Sequence, residues 1–506
     1  MDTVTSIRPL LALLICAFAA IAILIFDKSD KSNKNNNLRD AISLLAAAAN
    51  FFVVASMAPI ILDGKIIECH LFTVLPGIDF NLRVDPLGMV FASISSFLWI
   101  VAAVYSIGYM RKLQEHNQTR FFSCFAISIM AAIGGAFSAN LFTLVIFYEL
   151  LSLITYPLVY HKETEESWVG SKKYLVYLMG ASKTFLLAAI ALTYSIAGTL
   201  DFAPAGLFQD VVASPVLLTV VYVCYLAGFA KAAIMPFHAW LPAAMVAPTP
   251  VSALLHAVAV VKMGVFCVLR VIFHVFGVNL LDNLQLGIAT AYVVSFTILM
   301  ASIYALTRDD LKARLAYSTV SQLSYIILGV VLLAPSSIVG GVVHIASHAF
   351  AKITLFFCAG SIYCASRRKN ISELSGIGRH LPWTMAAFFI GSLSMIGIPP
   401  SGGFISKWYL IVGTIEAKQL AFLVVLLFSS VLNAIYFLPI SYKAFFEAEK
   451  PPLIGSDSST AQQLPGDQDI KEIPLLTIPL MVTAILSLLL GVYPNYFLSL
   501  AQKLIP

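Results

Sequence analysis

Eight side chains in this sequence could move protons. Glu149 lies in "LVIFYELLSLITYPL", Lys231 in "YLAGFAKAAIM", and His256 with Lys262 in "SALLHAVAVVKMGVF". His344, His348 and Lys352 lie in "VVHIASHAFAKITLFF", and Lys407 follows the interruption in "GIPPSGGFISKWYL". All sit in long apolar runs. If those runs span a membrane, each lysine or acid costs roughly 2.5–3.5 kcal/mol at a helix centre. Glu149 and the four lysines then represent on the order of 10–15 kcal/mol before any pairing. Ionisable groups at such depth mark proton or ion paths, or else structural ion pairs.

Spacing narrows the chemistry. His344, His348 and Lys352 recur at i, i+4 and i+8, one stripe on one helix face, which could step a proton along about 12 Å at 1.5 Å per residue. His256 and Lys262 are six apart, about 9 Å along the axis and off a common face, so water or a neighbouring span must link them. A buried amine is driven toward its neutral form, and a nearby carboxylate restores the charge, so a lysine with a switching carboxylate can take up and release a proton. Glu149 is the acid found deep in a span, which makes it the expected switching partner and Lys231 the expected recipient. The three histidines could instead be packed and hydrogen-bonded as neutral imidazoles. Lys183 and Arg270 are expected near span ends, where long side chains snorkel. His-x-x-x-His can hold zinc, but no acid or cysteine stands near it and there is no H-E-x-x-H pattern, so no metal is expected there.

The elements that must position these residues follow from composition. The chain has 506 residues, 59% hydrophobic and 11% charged, where a soluble domain carries about 25% charged residues. The expected fold class is therefore an all-α polytopic membrane protein, with lipid as solvent. About fourteen transmembrane helices are expected, near 7–26, 41–62, 86–108, 121–138, 141–160, 174–195, 215–235, 250–276, 285–306, 315–333, 338–363, 383–412, 419–441 and 474–498. The first run is long for a signal peptide and no small-residue cleavage site follows it, so it is expected to remain as a span. Residues 63–85 read as an external hairpin around "PG", and "KPPLIGSDSSTAQQLPGDQDIKE" as a polar linker. Loops after odd-numbered spans carry twenty Lys and Arg against three in the others. Positive loops stay inside, so both termini are expected outside. The net charge of +5 resides in these loops and does not point to nucleic acid. The seven cysteines are scattered, without C-x-x-C. There is no Walker motif, dinucleotide fingerprint, cysteine cluster or haem motif, so no cofactor is expected and no means of hydrolysing a nucleotide or carrying electrons.

Sliding the sequence by 169 residues aligns "ELLSLITY" with "STVSQLSY", "SKTFLLAAIALTY" with "AKITLFFCAGSIY", and "GFAKAAIMPFHAWL" with "GIPPSGGFISKWYL". Lys183 falls on Lys352 and His238 on Lys407. One offset in three segments implies a repeat of five spans, and an odd number inverts the second unit. The expected units are 121–284 and 285–441, after N-terminal helices in 1–120 and before a linker and last helix in 442–506. Each unit contains a broken helix, at Pro236 and Pro242 in the first and at Pro399, Pro400, Gly402 and Gly403 in the second. Irregular backbone at membrane depth survives only where it is buried in protein or lines a wet cavity. A kink packed between neighbours is the alternative.

"FYELLSLITYPL", "KAAIMPFHAWLPAAMVAPTPVSALLHAVAVVKMGVF", "DDLKARLAYSTVSQLSYI", "HAFAKITLFFCAG" and "GIPPSGGFISKWYL" resemble the antiporter-like subunits shared by Mrp-type cation/proton antiporters, respiratory complex I and membrane-bound hydrogenases. The resemblance is strong over 120–440 and is closest to the D-type subunits of Mrp complexes. It implies a proton path along the membrane midplane, with Glu149 and Lys231 as a first pair, Lys262 as central lysine, His344, His348 and Lys352 as connecting relay, and Lys407 as terminal lysine. It further implies other membrane subunits as partners, protons and sodium as transported ions, and a bacterial or archaeal cell membrane. The polar stretch 451–472 departs from the family pattern. A proton pump module in a redox complex is the second reading; a solute carrier with a substrate-sized polar pocket at the breaks, or a silent scaffold, are readings of other classes.

Overall fold

The computed structural model describes residues 2–27, 34–209, 211–449 and 470–505. Most of the polar linker expected over 450–472, and part of the stretch after the first span, lie outside these residues. Along the chain the helices are α1 (Arg8–Asp27), α2 (Lys34–Ala55), α3 (Ala58–Leu62), α4 (Pro86–Leu113), α5 (Gln118–Ala136), α6 (Leu141–Val159), α7 (Glu165–Ala181), α8 (Leu187–Ala197), α9 (Pro215–Gly228), α10 (Trp240–Ala243) and α11 (Thr249–Ala253). They continue as α12 (Val260–Val271), α13 (Val278–Asn283), α14 (Leu286–Leu306), α15 (Leu311–Val331), α16 (Pro335–Ser366), α17 (Pro382–Ile396), α18 (Gly402–Glu416), α19 (Leu420–Phe446), α20 (Pro474–Val492) and α21 (Asn495–Gln502).

Among the described residues, eleven helical segments are long and apolar enough to cross a membrane, and α9 and α17 are shorter apolar helices. Against the expectation of about fourteen spans there are three physical differences. The expected span 215–235 is helical only to Gly228, and 383–412 is split into α17 and α18. Helix α15 has the length of a span but carries Lys312, Arg314, Gln322 and several serines and threonines. Its polar groups face other helices: Ser318, Ser321 and Gln322 are all fully buried.

Among the described residues there are three strands, β1 (Thr3–Thr5), β2 (Ile66–Leu75) and β3 (Ile78–Val84), in that order in one sheet. β1 runs parallel to β2, and β2 and β3 form an antiparallel hairpin pairing Ile67 with Val84 and Leu75 with Ile78.

The core lies around α16. Its most apolar stretch is wholly buried, and it packs on α15, α17, α18, α20, α4 and α11. The segment Thr249–Phe276 is nearly as enclosed. The two elements with most of the candidate residues are therefore the centre of the bundle, and α1, α2, α19 and α20 present apolar faces outward, as lipid requires.

At one end of α12, Arg270 is anchored rather than snorkelling as expected. It is 2% exposed and donates to both carboxylate oxygens of Asp85, at 2.9 Å from Nη2, with His274 Nε2 3.5 Å from the same carboxylate. Asp85 also caps α4, accepting from the Gly88 N–H at 2.8 Å. Burial pushes the Asp85 carboxyl up, but Arg270, His274 and the Gly88 N–H outweigh it and hold the group at about 2. A depressed carboxyl stabilises the fold fully above its unfolded value of about 3.9 and loses that contribution as pH falls through its folded value. Arg270→Met leaves the buried carboxylate without its guanidinium partner and is expected to cost about 3–5 kcal/mol. Adding Asp85→Asn, which keeps a capping oxygen, restores most of it. Thermal unfolding of the detergent-solubilised protein measures this; an unchanged midpoint in Arg270→Met contradicts the anchor.

Candidate functional site: a buried line of ionisable side chains

α17 stops at Ile396 and α18 begins at Gly402, so the last carbonyls of α17 lack intrahelical partners. Lys407 supplies donors. Its Nζ donates to the Met395 and Ile396 carbonyls, each at 2.9 Å, and to Ser430 Oγ of α19 at 3.1 Å. Three donors of an ammonium thus meet three acceptors, and the cation sits at a helix C-terminus, where the dipole favours it. Lys407 is 6% exposed and its Nζ lies 5.0 Å from the centre of the Tyr325 ring. The break is narrower than expected. Pro399 and Pro400 lie in it, but Gly402 and Gly403 form the first turn of α18. The absent side chain at Gly403 is needed for packing, since a Cβ there would overlap the Ser394 carbonyl.

The first break runs from Phe229 to Ala239, with a 3-10 turn at Ala230–Ala232 that carries Lys231. Pro236 lies in the break, whereas Pro242 sits inside α10. Lys231 is fully buried, and its Nζ donates to the Tyr148 carbonyl at 2.7 Å and Ser152 Oγ at 2.6 Å, 3.1 Å from the centre of the Tyr148 ring. Gly264 of α12 allows this seat, because a Cβ there would overlap the backbone of Lys231 and Ala232.

The expected Glu149–Lys231 ion pair is not formed. Glu149 pairs with Lys183, Nζ to Oε2 at 3.2 Å. Tyr148 and Ser152 are one turn apart on the α6 face toward Lys231, while Glu149 is one residue on and turned by about 100°. It meets Lys183 in the π-turn Ser182–Leu186 between α7 and α8. Lys183 is half exposed, 51% in its side chain against 13% for Glu149. The signal for Lys183 was its alignment with Lys352 in the repeat.

The central group is more continuous. Lys262 Nζ lies 2.5 Å from His348 Nδ1, which joins α12 to α16. The ring centres of His348 and His344 are 6.2 Å apart, with the ring planes inclined by 30°. His344 Nδ1 is 2.9 Å from Ser406 Oγ, and its Nε2 is 2.9 Å from Gln322 Oε1. Ser406 precedes Lys407 on α18. Of the three stripe residues, His344 is therefore the one that reaches α18. Lys352 Nζ turns to α15, donating to Ser318 Oγ at 2.9 Å and to the Leu315 carbonyl at 3.2 Å; Tyr436 of α19 donates to the same Ser318 hydroxyl at 3.1 Å. His256 sits in the π-turn Leu254–Val258 against Phe356, ring centres 4.6 Å apart, and neither ring nitrogen has a hydrogen-bond partner among the described residues. The sequence reading missed the neutral links Ser152, Ser318, Gln322, Ser406 and Tyr436. The one signal for them was polar residues at helical spacing, such as Ser318 and Gln322.

Among the described residues, the side chains that converge as possible metal ligands are in the loops after α4 and α6. At that end of the bundle a cleft of about 270 Å³ is lined by Lys162, Glu166, Asp310, Lys312, Arg368 and Lys369, among others.

The family described as "NADH:quinone oxidoreductase/Mrp antiporter, TM" matches residues 138–433, more than half of the chain, and "NADH-Ubiquinone oxidoreductase (complex I), chain 5 N-terminus" matches 76–122. A NADH-quinone oxidoreductase subunit N from Desulforudis audaxviator is 30% identical over 503 residues, covering 98% of this chain and 97% of that protein. A putative antiporter subunit from Staphylococcus haemolyticus is 29% identical over 493 residues, 90% of this chain but 58% of its own length. In fold, the chain is similar to one in the Mrp complex from Dietzia sp. DQ12-45-1b, with a TM-score of 0.84, 21% identity, and 98% and 97% of the two chains covered. The chain belongs to the NADH:quinone oxidoreductase/Mrp antiporter family of multi-pass membrane subunits.

Proposed function

We propose that this chain is the proton-translocating subunit of a multisubunit monovalent cation/proton antiporter, of the D type in Mrp complexes. Its partners are the other membrane subunits, its ions are protons and Na+, and its termini face outward from the cell membrane. The observation that carries the reading is the line Lys262–His348–His344–Ser406, which starts on α12, crosses α16 and ends beside Lys407 at the α17–α18 break. Protonatable and hydroxyl groups follow one another across three helices, all buried.

Each residue has a separable task. Glu149 and Lys183 form the partly exposed pair where the path begins, and the carboxylate passes from Lys183 to Lys231 when the path loads. Lys231, held by one carbonyl and one hydroxyl, receives the proton. Lys262 hands it to His348 Nδ1, and His348 Nε2, which has no hydrogen-bond partner among the described residues, passes it toward His344 through water. His256 borders the same region as an imidazole with both nitrogens open. Ser406 relays from His344 to the turn that carries Lys407. Lys352, Ser318 and Tyr436 form a side branch toward α15 and α19. Two inverted halves, 121–284 and 285–441, fit this division. Residues 169 apart support it: Glu149 with Lys183 and Ser318 with Lys352 are both in contact.

One observation favours a second reading. A relative matched over nearly its whole length is a subunit of NADH-quinone oxidoreductase, so the same proton path could serve a redox-driven complex. Co-purifying subunits decide: small cation/proton antiporter subunits support the first reading, flavin and iron–sulfur subunits the second.

Three outcomes are expected. Lys262→Met in the assembled complex lowers cation-driven proton flux in vesicles by at least the about hundredfold typical of a lost acid–base group; flux near wild type contradicts the relay. Lys407→Arg retains a cation but cannot release a proton near neutral pH, and is expected to fail as Lys407→Met does; normal flux in Lys407→Arg makes the residue a fixed charge. A cysteine placed at Glu165, in a variant without native accessible cysteines, is expected to resist impermeant labelling of intact cells; external labelling reverses the orientation.

A further inference from the structure

His161 follows α6, and its side chain is fully buried. Neither ring nitrogen has a hydrogen-bond partner among the described residues. An imidazole so enclosed leaves buried polar groups unmet, at a cost, and neutral packing against Phe121, 5.8 Å away ring to ring, does not recover it. Two other ligand-type side chains converge on it. Glu115 Oε2 is 3.9 Å from His161 Nε2, and the His116 ring lies 5.0 Å from the His161 ring, nearly parallel. One ligand atom from each of Glu115, His116 and His161 lies within 4.8 Å of the others.

We propose that Glu115, His116 and His161 form a binding site for a divalent transition-metal ion of the zinc class. Two imidazoles and one carboxylate are a common donor set for zinc, with a fourth position left to water. Imidazole ligands favour zinc, copper or nickel over magnesium or calcium. Bonds of about 2.0–2.2 Å to a tetrahedral ion put ligand atoms about 3.3–3.5 Å apart, so the three atoms must close by an ångström or so. His116 can supply that movement, because its side chain is 46% exposed. Glu163 Oε1 is 3.8 Å from His116 Nε2 but is held by Arg120 at 2.8 Å and Asn117 at 3.2 Å. That contact also compensates the Arg120 charge beside the site. The ion would tie the α4–α5 connection to the α6–α7 connection, next to the helix of Glu149 and the helix leading to Lys183.

The test uses full-length protein in detergent, purified without a polyhistidine tag. Zinc content after equilibrium dialysis and the visible absorption of the cobalt(II) form are measured for wild type, His116→Ala, Glu115→Gln, His161→Ala and the control His70→Ala, an exposed histidine on the hairpin. Wild type is expected to retain one zinc, with a tetrahedral cobalt spectrum, and His70→Ala to match it. His116→Ala, at an exposed position where folding is not at stake, is expected to weaken binding by more than the about tenfold to hundredfold caused by loss of an outer-shell partner. Wild type that retains no zinc, or His116→Ala that binds as wild type does, overturns the site.

Discussion

An ammonium group in an apolar bundle must be solvated by the protein, because lipid offers it nothing. That constraint shapes the centre of this molecule. Lys407 is solvated by carbonyls that exist as free acceptors only because α17 ends at Ile396. Lys231 sits in a 3-10 turn, outside regular helix, and takes a carbonyl and a hydroxyl of α6. Lys352 depends on Ser318 and a carbonyl of α15. Lys262 has a histidine from the central helix. Breaks, serines and histidines thus do in protein what water does outside. A group held by neutral dipoles keeps its ability to gain or lose a proton, whereas a permanent carboxylate partner would fix its charge. The carboxylate of Glu149 accordingly rests on the half-exposed Lys183.

The two proposed halves share part of this solution and diverge in the rest. Lys183 with Glu149 and Lys352 with Ser318 are contacts between positions 169 apart, but one is a partly exposed ion pair and the other a buried amine–hydroxyl contact. His238 stands opposite Lys407 in the alignment and is half-buried near Tyr317 rather than at a helix end. On the proposed reading, replacing an acid by a serine moves the loading step to one half and leaves the other to conduct.

Much of this was legible in the sequence. Lysines and histidines in apolar runs identified the buried line, and the Pro/Gly clusters located both interruptions, because lipid penalises these residues in a way that composition records. Partner choice was not legible. Glu149 suits Lys231 by chemistry, yet a rotation of one residue on α6 sends it to Lys183. Arg270 read as a snorkelling end residue because nothing local shows that Asp85, 185 positions away, caps a helix at the same depth. Gly403 read as part of a break but serves close packing against Ser394. Ser406 and Gln322 are ordinary residues until α16 brings His344 between them. Short-range pattern sets where charge is buried; the packing of distant helices decides what each charge meets.

Proton passage on this reading requires the line from Lys231 to Lys407 to be wet where side chains do not touch. Electron cryomicroscopy of the native complex, at a resolution that shows ordered water, tests this directly. Waters are predicted on the free nitrogens of His256 and on His348 Nε2, bridging Lys231 to Lys262 and His348 to His344. Dry apolar packing between Lys231 and Lys262, with no water on either histidine, would contradict the proton path.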